Sequence, residues 1–258
     1  HNEVTLDKTS VVFPSGIEIA NLGDEARCME CHQGRASTVS VDQNIADAGL
    51  TEKLDTVSED MGFSGIHYYA AAATQYGTLA KGGYEYAGQA YDARFDHVAE
   101  YNTCIECHDM HTLEIKLQEC QACHTDVKTT EDLANIRMNG SLVDYDGDGD
   151  MEEGVYYEIE GLRDLLYGAM QTYSMETSGK MIAYDDHTYP YFFIDTDADG
   201  ALSEAEAVYP NQFNAWTARL AKAAYNFQVS MKDTGRHAHG GKYIIQLLYD
   251  SIDDLNQA

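Results

Sequence analysis

Apolar residues recur at helical spacing in three stretches of the C-terminal half. Ile159, Leu162, Leu165, Leu166, Met170 and Tyr173 form one stripe. Phe213, Trp216, Leu220, Ala223, Ala224 and Phe227 form a second, and Tyr243, Ile244, Leu247, Leu248, Ile252 and Leu255 a third. Each stripe predicts a helix with one core-facing side. A helix is also expected over residues 63–79, which are rich in Ala and Tyr and contain His67, and a short one over residues 131–138. Residues 82–91 are Gly- and Tyr-rich and read as irregular. Near the N-terminus, Val11-Val12-Phe13 and Ile17-Glu18-Ile19-Ala20 flank Pro14 and Gly16, which suits an extended arm better than a helix. The expected fold is mainly α with much irregular structure. Its three parts are an arm at 1–27, a middle region at 28–129 and a helical region at 130–258.

The chemistry of the middle region lies in its cysteines. Cys28, Cys31 and His32, then Cys104, Cys107 and His108, then Cys120, Cys123 and His124 spell Cys-x-x-Cys-His three times, using all six cysteines. This spacing is the attachment signature of c-type haem: two thiols bond the porphyrin and the following His sits under the iron. A structural zinc site would join two Cys-x-x-Cys pairs in a tetrahedron. It would leave the third pair, and the His after each pair, without a purpose. Three covalent haems are therefore expected to organise the fold. The second and third motifs are close in sequence, so their haems are expected to be neighbours. The first must be placed by folding.

Two acidic loops interrupt the helical region. Asp195, Asp197, Asp199, Gly200, Ala201, Ser203 and Glu206 match an EF-hand loop at positions 1, 3, 5, 6, 7, 9 and 12. The segment before it, residues 189–193, does not read as an entering helix, so the loop is EF-hand-like only. Asp144, Asp146, Asp148 and Asp150 open a second loop. It has Val155 at position 12, and Glu153, with Glu152 as alternate, is the better closing ligand. Two Ca2+ ions are expected, bound weakly, with dissociation constants on the order of 10⁻⁴–10⁻³ M, and serving to pin loops.

Charge narrows the partners. Over 258 residues, 44 acids against 16 bases give a net charge of −28. Nucleic acid and anionic lipid surfaces are poor partners for such a chain. Cations, basic proteins and cation-bridged mineral surfaces are better ones. No apolar run has transmembrane length. The chain begins at His1 rather than Met, read here as the trace of a removed signal peptide. Haem attachment outside the cytoplasm agrees with that, so an extracellular or periplasmic location is expected. The 19 tyrosines and modest aliphatic content fit a core built partly on porphyrin faces.

Histidines outside the motifs are His1, His67, His97, His111, His187, His237 and His239. Three would close all three irons. His97 lies shortly before Cys104, His111 follows His108 closely and is better placed for a neighbouring haem than its own, and His67 falls in the Ala/Tyr segment. Ligation by His on both faces closes an iron to substrate, and no Ser/His/Asp set or phosphate loop appears. Electron transfer is therefore expected rather than catalysis.

Several stretches resemble a family of extracellular and periplasmic multihaem cytochromes. They are Cys28–Arg35, Ile66-His67-Tyr68-Tyr69-Ala70-Ala71, Asp96-His97 before the second motif, and His111-Thr112-Leu113-Glu114. Trp216-Thr217 to Tyr225 and Lys242-Tyr243 to Ser251 also look like it. The resemblance implies His67, His97 and His111 as the second iron ligands. It also implies kinship with cytochromes that polymerise into haem-stacked filaments, the microbial nanowires. The expected function is extracellular electron transfer as the repeating subunit of a head-to-tail filament, with a redox protein or extracellular acceptor as partner. The arm, with Val11, Val12, Phe13, Ile17 and His1, is expected to dock on the next copy. A monomeric periplasmic trihaem shuttle is the alternative, and a haem enzyme or its redox subunit a third.

Overall fold

The computed structural model describes residues 8–67, 69–138 and 140–258; His1 and Tyr68 lie outside them. Helix and irregular backbone dominate, with two small antiparallel hairpins. The three stripes become α6 (Val155–Ser178), α7 (Ala218–Lys232) and α8 (Arg236–Leu255), numbered after the shorter elements introduced below. They pack on one another, each against both of the others. Ile159, Leu162, Leu166, Met170 and Tyr173 are buried along α6, while Leu165 faces solvent. α7 starts later than its stripe suggests. Thr217 caps it, accepting from the Leu220 N–H at 3.1 Å. Phe213 and Trp216 precede the helix and join an aromatic cluster with Phe63 and Phe192, ring centroids 4.6–5.5 Å apart.

Within the N-terminal arm, residues 8–27 are not a free extended segment. β1 (Ser10–Val12) and β2 (Glu18–Ala20) form a hairpin, registered Val11 against Ile19. Period-2 burial then decides the fate of its apolar residues. Val11 and Phe13 are buried in this chain's own core, and Val12, on the other face, is 57% exposed.

Residues 63–67, 69 and 70 are not helical either. Regular helix is confined to α3 (Ala71–Tyr76), continued by a 3-10 turn over Gly77–Leu79. His67 has φ 73°, in the left-handed region. The cause is tertiary. The Ile66 N–H donates to Gln228 Oε1 at 3.0 Å, and the Ile66 carbonyl accepts from Arg35 N. Likewise Asn226 brackets Tyr84, accepting its N–H at 2.7 Å and donating to its carbonyl at 3.0 Å. Tyr225 Oη donates to the Gly82 carbonyl at 2.7 Å. Side chains of α7 thus satisfy the backbone of the irregular segment, which has no need of a helix or sheet of its own.

The remaining elements are α1 (Ala26–His32), α2 (Thr38–Asp47), α4 (Cys104–Cys107), α5 (Leu117–Cys120), and the hairpin β3 (Met181–Tyr184) with β4 (Phe192–Asp195). The helix expected at 131–138 is a 3-10 turn over Glu131–Asn135.

Candidate haem and cation sites

The first motif lies within α1, and the second occupies α4 and the residue after it. In a helical turn the i and i+3 side chains share a face, so each Cys-x-x-Cys presents both thiols together. α4 is only four residues long. Glu106 holds its start, accepting from the Asn102 and Thr103 N–H groups at 2.7 and 2.8 Å. The third motif begins at the end of α5, and the His124 N–H donates to the Cys120 carbonyl at 2.9 Å.

Folding brings all three motifs together. The Cys28 and Cys104 thiols hydrogen-bond, and Glu25 Oε2 accepts from the Cys104 N–H at 3.3 Å. His32 is close enough to His108 to depress its basicity, and Cys120 is close enough to Cys107 to help raise its thiol. The second motif therefore sits between the first and the third. Burial, the largest influence, raises the thiols of Cys28, Cys107 and Cys120 and pushes Cys104 up to about 12. Among the described residues no disulfide joins any of the six cysteines.

Imidazoles gather on the same ground. The His97 and His124 ring centroids are 6.2 Å apart, and those of His108 and His239 6.4 Å. A metal–imidazole bond is about 2 Å long, so two in line, plus the two half-rings, separate centroids by roughly 6 Å. His108 Nδ1 lies 3.2 Å from the Leu113 carbonyl; a carbonyl only accepts, so Nδ1 carries the proton and Nε2 keeps its lone pair. Burial first, then the neighbouring imidazoles, keep His108 below the ordinary His range. Burial and His124 do the same to His97. Neutral imidazole is the ligating form.

Asn102, which the sequence did not single out, organises the loop that carries His97. Its side chain accepts from the His97 N–H at 3.1 Å and donates to Asp96 at 3.0 Å, while its carbonyl accepts from Arg94 at 2.8 Å. His111 lies on an exposed turn, its N–H donated to Asp109 at 2.8 Å. His67 lines an open cavity of ≈ 290 Å³ with Phe63, Tyr189 and Trp216. Its neighbour Ile66 accepts from Arg35 N, which ties that backbone to the end of the first motif.

These residues fit covalent haem. His32 Nδ1 is buried with no partner among the described residues. The segment bearing the second and third motifs has almost no apolar core: α4, α5 and the 131–135 turn bury nothing, and Leu113, Met110 and Leu142 stand 72%, 57% and 76% exposed. A segment without a core cannot offset its ordering entropy from protein contacts alone. Porphyrin faces would give those side chains something to cover. A cleft of ≈ 280 Å³ beside the third motif is lined by Cys123, His124, Val127 and Ile136.

The acidic loops are tight turns held by their own carboxylates. In the Asp195 loop, Asp195 accepts from the Ala198 and Gly200 N–H groups, both at 2.8 Å, and is buried. Asp195, Asp197 and Asp199 bring ligand oxygens within 4.8 Å of one another. Glu206 closes the loop through Thr196 Oγ1 at 2.6 Å and Ser203 Oγ at 2.8 Å. Those hydrogen bonds, Thr196 first, lower its carboxyl to about 2. Strand β4, not a helix, leads in.

In the Asp144 loop, Asp144 accepts from Gly147 N at 2.6 Å and Gly149 N at 2.9 Å. Asp146, Asp148 and Glu153 converge, as do Asp144, Asp146 and Glu158. Burial and then the neighbouring aspartates push Glu153 up to about 7. Glu158 was missed by the sequence reading. It sits on α6, fully buried, paired with Arg137 and accepting from Tyr145 N at 2.7 Å. Its signal was a lone acid on the apolar side of an amphipathic stripe. Both oxygen-rich donor sets fit a hard cation.

No family profile matches the chain, and no solved structure matches it. Two curated relatives from Geobacter sulfurreducens do: C-type polyheme cytochrome OmcB, 26% identical over 250 residues, and C-type polyheme cytochrome OmcC, 26% identical over 251. Each match covers 88% of this chain but only 30% of OmcB and 29% of OmcC, so the chain spans less than a third of the length of these relatives. Over most of its own length, then, this chain is similar to polyhaem c-type cytochromes.

Proposed function

We propose that the chain is a trihaem c-type cytochrome that carries electrons outside the cytoplasm. The observation that supports this most is the clustering of three Cys-x-x-Cys-His motifs, the middle one hydrogen-bonded to the first and near the third. Bound haem iron supplies a one-electron couple. The chain's part is to hold three such groups side by side and to close each iron with a second imidazole. His97 is proposed to serve the third motif, opposite His124. His67 is proposed for the first, and His111 is the third candidate the sequence offers. With both faces closed, electron transfer is favoured over catalysis. Spectroscopy of the oxidised protein tests this: low-spin haem throughout is expected, and a full equivalent of high-spin haem, or carbon monoxide binding after reduction, contradicts it.

Two Ca2+ ions are proposed in the Asp144 and Asp195 loops, supported by the donor sets above. An extracellular or periplasmic site of action is supported by the attachment chemistry and the net charge of −28. No helix among the described residues is long and apolar enough to cross a membrane.

We further propose that copies join head to tail into a haem filament. Support comes from the resemblance and from the large scaffold around each motif. It also comes from the two-stranded hairpin β1–β2, whose open edge and exposed Val12 offer a docking strip. The buried Val11 and Phe13 belong to this chain's own core, and that docking favours the second reading, a monomeric shuttle. Electron microscopy of the purified protein decides between them. Val12→Lys is the cleaner probe than truncation, because it leaves the core intact: shortened or absent filaments support the strip, and unchanged ones remove it.

A further inference from the structure

His239 sits at the start of α8, in sequence far from the three motifs, yet its ring is 6.4 Å from that of His108. Four observations show a ring built into place. Its Nδ1 faces both oxygens of Asp233, at 2.8 and 3.0 Å. Asp233 is itself 2% exposed and is also held by the Gly235 N–H at 3.1 Å. A carboxylate accepts, so Nδ1 bears the proton, and the lone pair of the ring is left on Nε2. Residue 235 is glycine, and a Cβ there would meet the His239 ring at 2.5 Å, so the space for the ring is reserved. Finally, α8 is interrupted just after His239. Gly240 is non-helical, and a Cβ on it would meet the Thr74 carbonyl at 2.4 Å. The turn carrying His239 is therefore seated against α3 rather than aimed by the long run of α8.

This is the arrangement of a ligating histidine with its orienting carboxylate. Metal-bound imidazoles donate their other N–H to a carboxylate or carbonyl, which fixes tautomer and direction. His108 shows the complementary half, its Nδ1 donated to the Leu113 carbonyl. Among the described residues, the His111 ring on its exposed turn has no hydrogen-bonded carboxylate or carbonyl of this kind.

We propose that His239 supplies the second axial nitrogen to the haem held by Cys104, Cys107 and His108, with Asp233 as its positioning residue. The proposal rests on the haem reading above. The Nε2 lone pair forms the bond to iron, and no proton has to leave, because Nδ1 keeps it. The helical region at 130–258 then does more than support the motifs. It reaches back and completes the central one, so that electron passage through the middle haem depends on α8 being docked.

The test uses the full chain carrying its covalent haems, with pyridine haemochrome stoichiometry measured first on every variant. A wild-type chain without covalent haem overturns the underlying reading and this proposal with it. With three haems attached, His239→Ala is expected to move one third of the ferric haem from low to high spin. It should also create one carbon monoxide site per chain, and added imidazole should restore low spin. His239→Met, closer in bulk, is expected to stay low-spin and gain the thioether–iron charge-transfer band at the red edge of the visible. Asp233→Asn is expected to keep low spin but raise the midpoint potential of one haem alone, which a merely structural role would not do. His111→Ala is expected to change none of these. Three haems that all stay low-spin in His239→Ala, or one haem turning high-spin in His111→Ala, overturns the proposal.

Discussion

Cys28 and Cys104 meet thiol to thiol, although α1 and α4 lie far apart in the chain. That contact fixes the order of the motifs in space. The first is joined to the second by tertiary structure, and the second to the third by the short stretch between them.

The surroundings of these thiols predict the order in which the haem-free chain reacts with an alkylating reagent. Cys31 and Cys123 are exposed, while burial pushes Cys104 up to about 12. Only the thiolate reacts. Cys31 and Cys123 should therefore be labelled first at neutral pH and Cys104 last, with its rate rising steadily as pH increases. Peptide mapping of a timed reaction reads this directly. Cys104 labelled as fast as Cys31 would show that the junction of the first two motifs is not formed without haem.

Arg219 ties three elements together. It donates to Asp55 at 2.7 Å and to the Asp254 side chain at 2.6 Å, and its own side chain is 8% exposed. Arg219→Ala takes the guanidinium from both carboxylates and leaves Asp55 accepting from the Tyr173 hydroxyl, at 2.8 Å. The expected loss is on the order of 2–3 kcal/mol, less than the roughly 3–5 of a fully buried pair, because Asp55 is half exposed to water. Denaturant titration measures it. The sign with pH also follows. Arg219 holds the Asp55 carboxyl below its ordinary value. This stabilisation is thus complete above the ordinary Asp range and lost as pH falls through the depressed value. The variant should show a flatter acid limb than the wild type; parallel limbs would mean the pair adds nothing.

The acidic loops predict opposite pH responses with and without calcium. In the metal-free chain Glu153 is pushed up to about 7, so the folded state retains a proton that the unfolded state has lost. Its contribution is present below the ordinary Glu range and disappears as pH rises toward 7. Calcium binding requires the ionised form and should reverse the trend, stabilising more at pH 8 than at pH 6. Chelation should lower the melting temperature, and Asp195→Ala should remove part of that response. Melting temperatures indifferent to chelator at both pH values would reduce the loops to acidic turns.

Much of the fold and site was legible where local chemistry alone decides. The three apolar stripes gave α6, α7 and α8, because helices that bury one side must carry that period. The spacings of the motif cysteines and of the acidic loops are local too, and the haem and calcium proposals rest on them. Failures occurred where distant partners took over. His67 was placed on a helix because its neighbours are Ala and Tyr, but Gln228 and Arg35 capture the backbone of Ile66 and hold the segment open. Val11 and Phe13 looked unpartnered because the core that receives them is built from later elements. His239 was one histidine among seven until Asp233 and Gly235 were seen beside it; the His-x-His at a helix start, with Asp before and Gly-Gly after, was the available hint.

The central claim is that the three Cys-x-x-Cys-His motifs each hold a haem. Intact mass spectrometry of the chain, produced in a host that attaches c-type haem, tests it most directly. The account predicts a mass increased by three haems and resistant to acid–acetone extraction, falling by one haem in Cys104→Ser/Cys107→Ser. A chain that keeps its apoprotein mass, or that carries zinc in place of porphyrin, would contradict it.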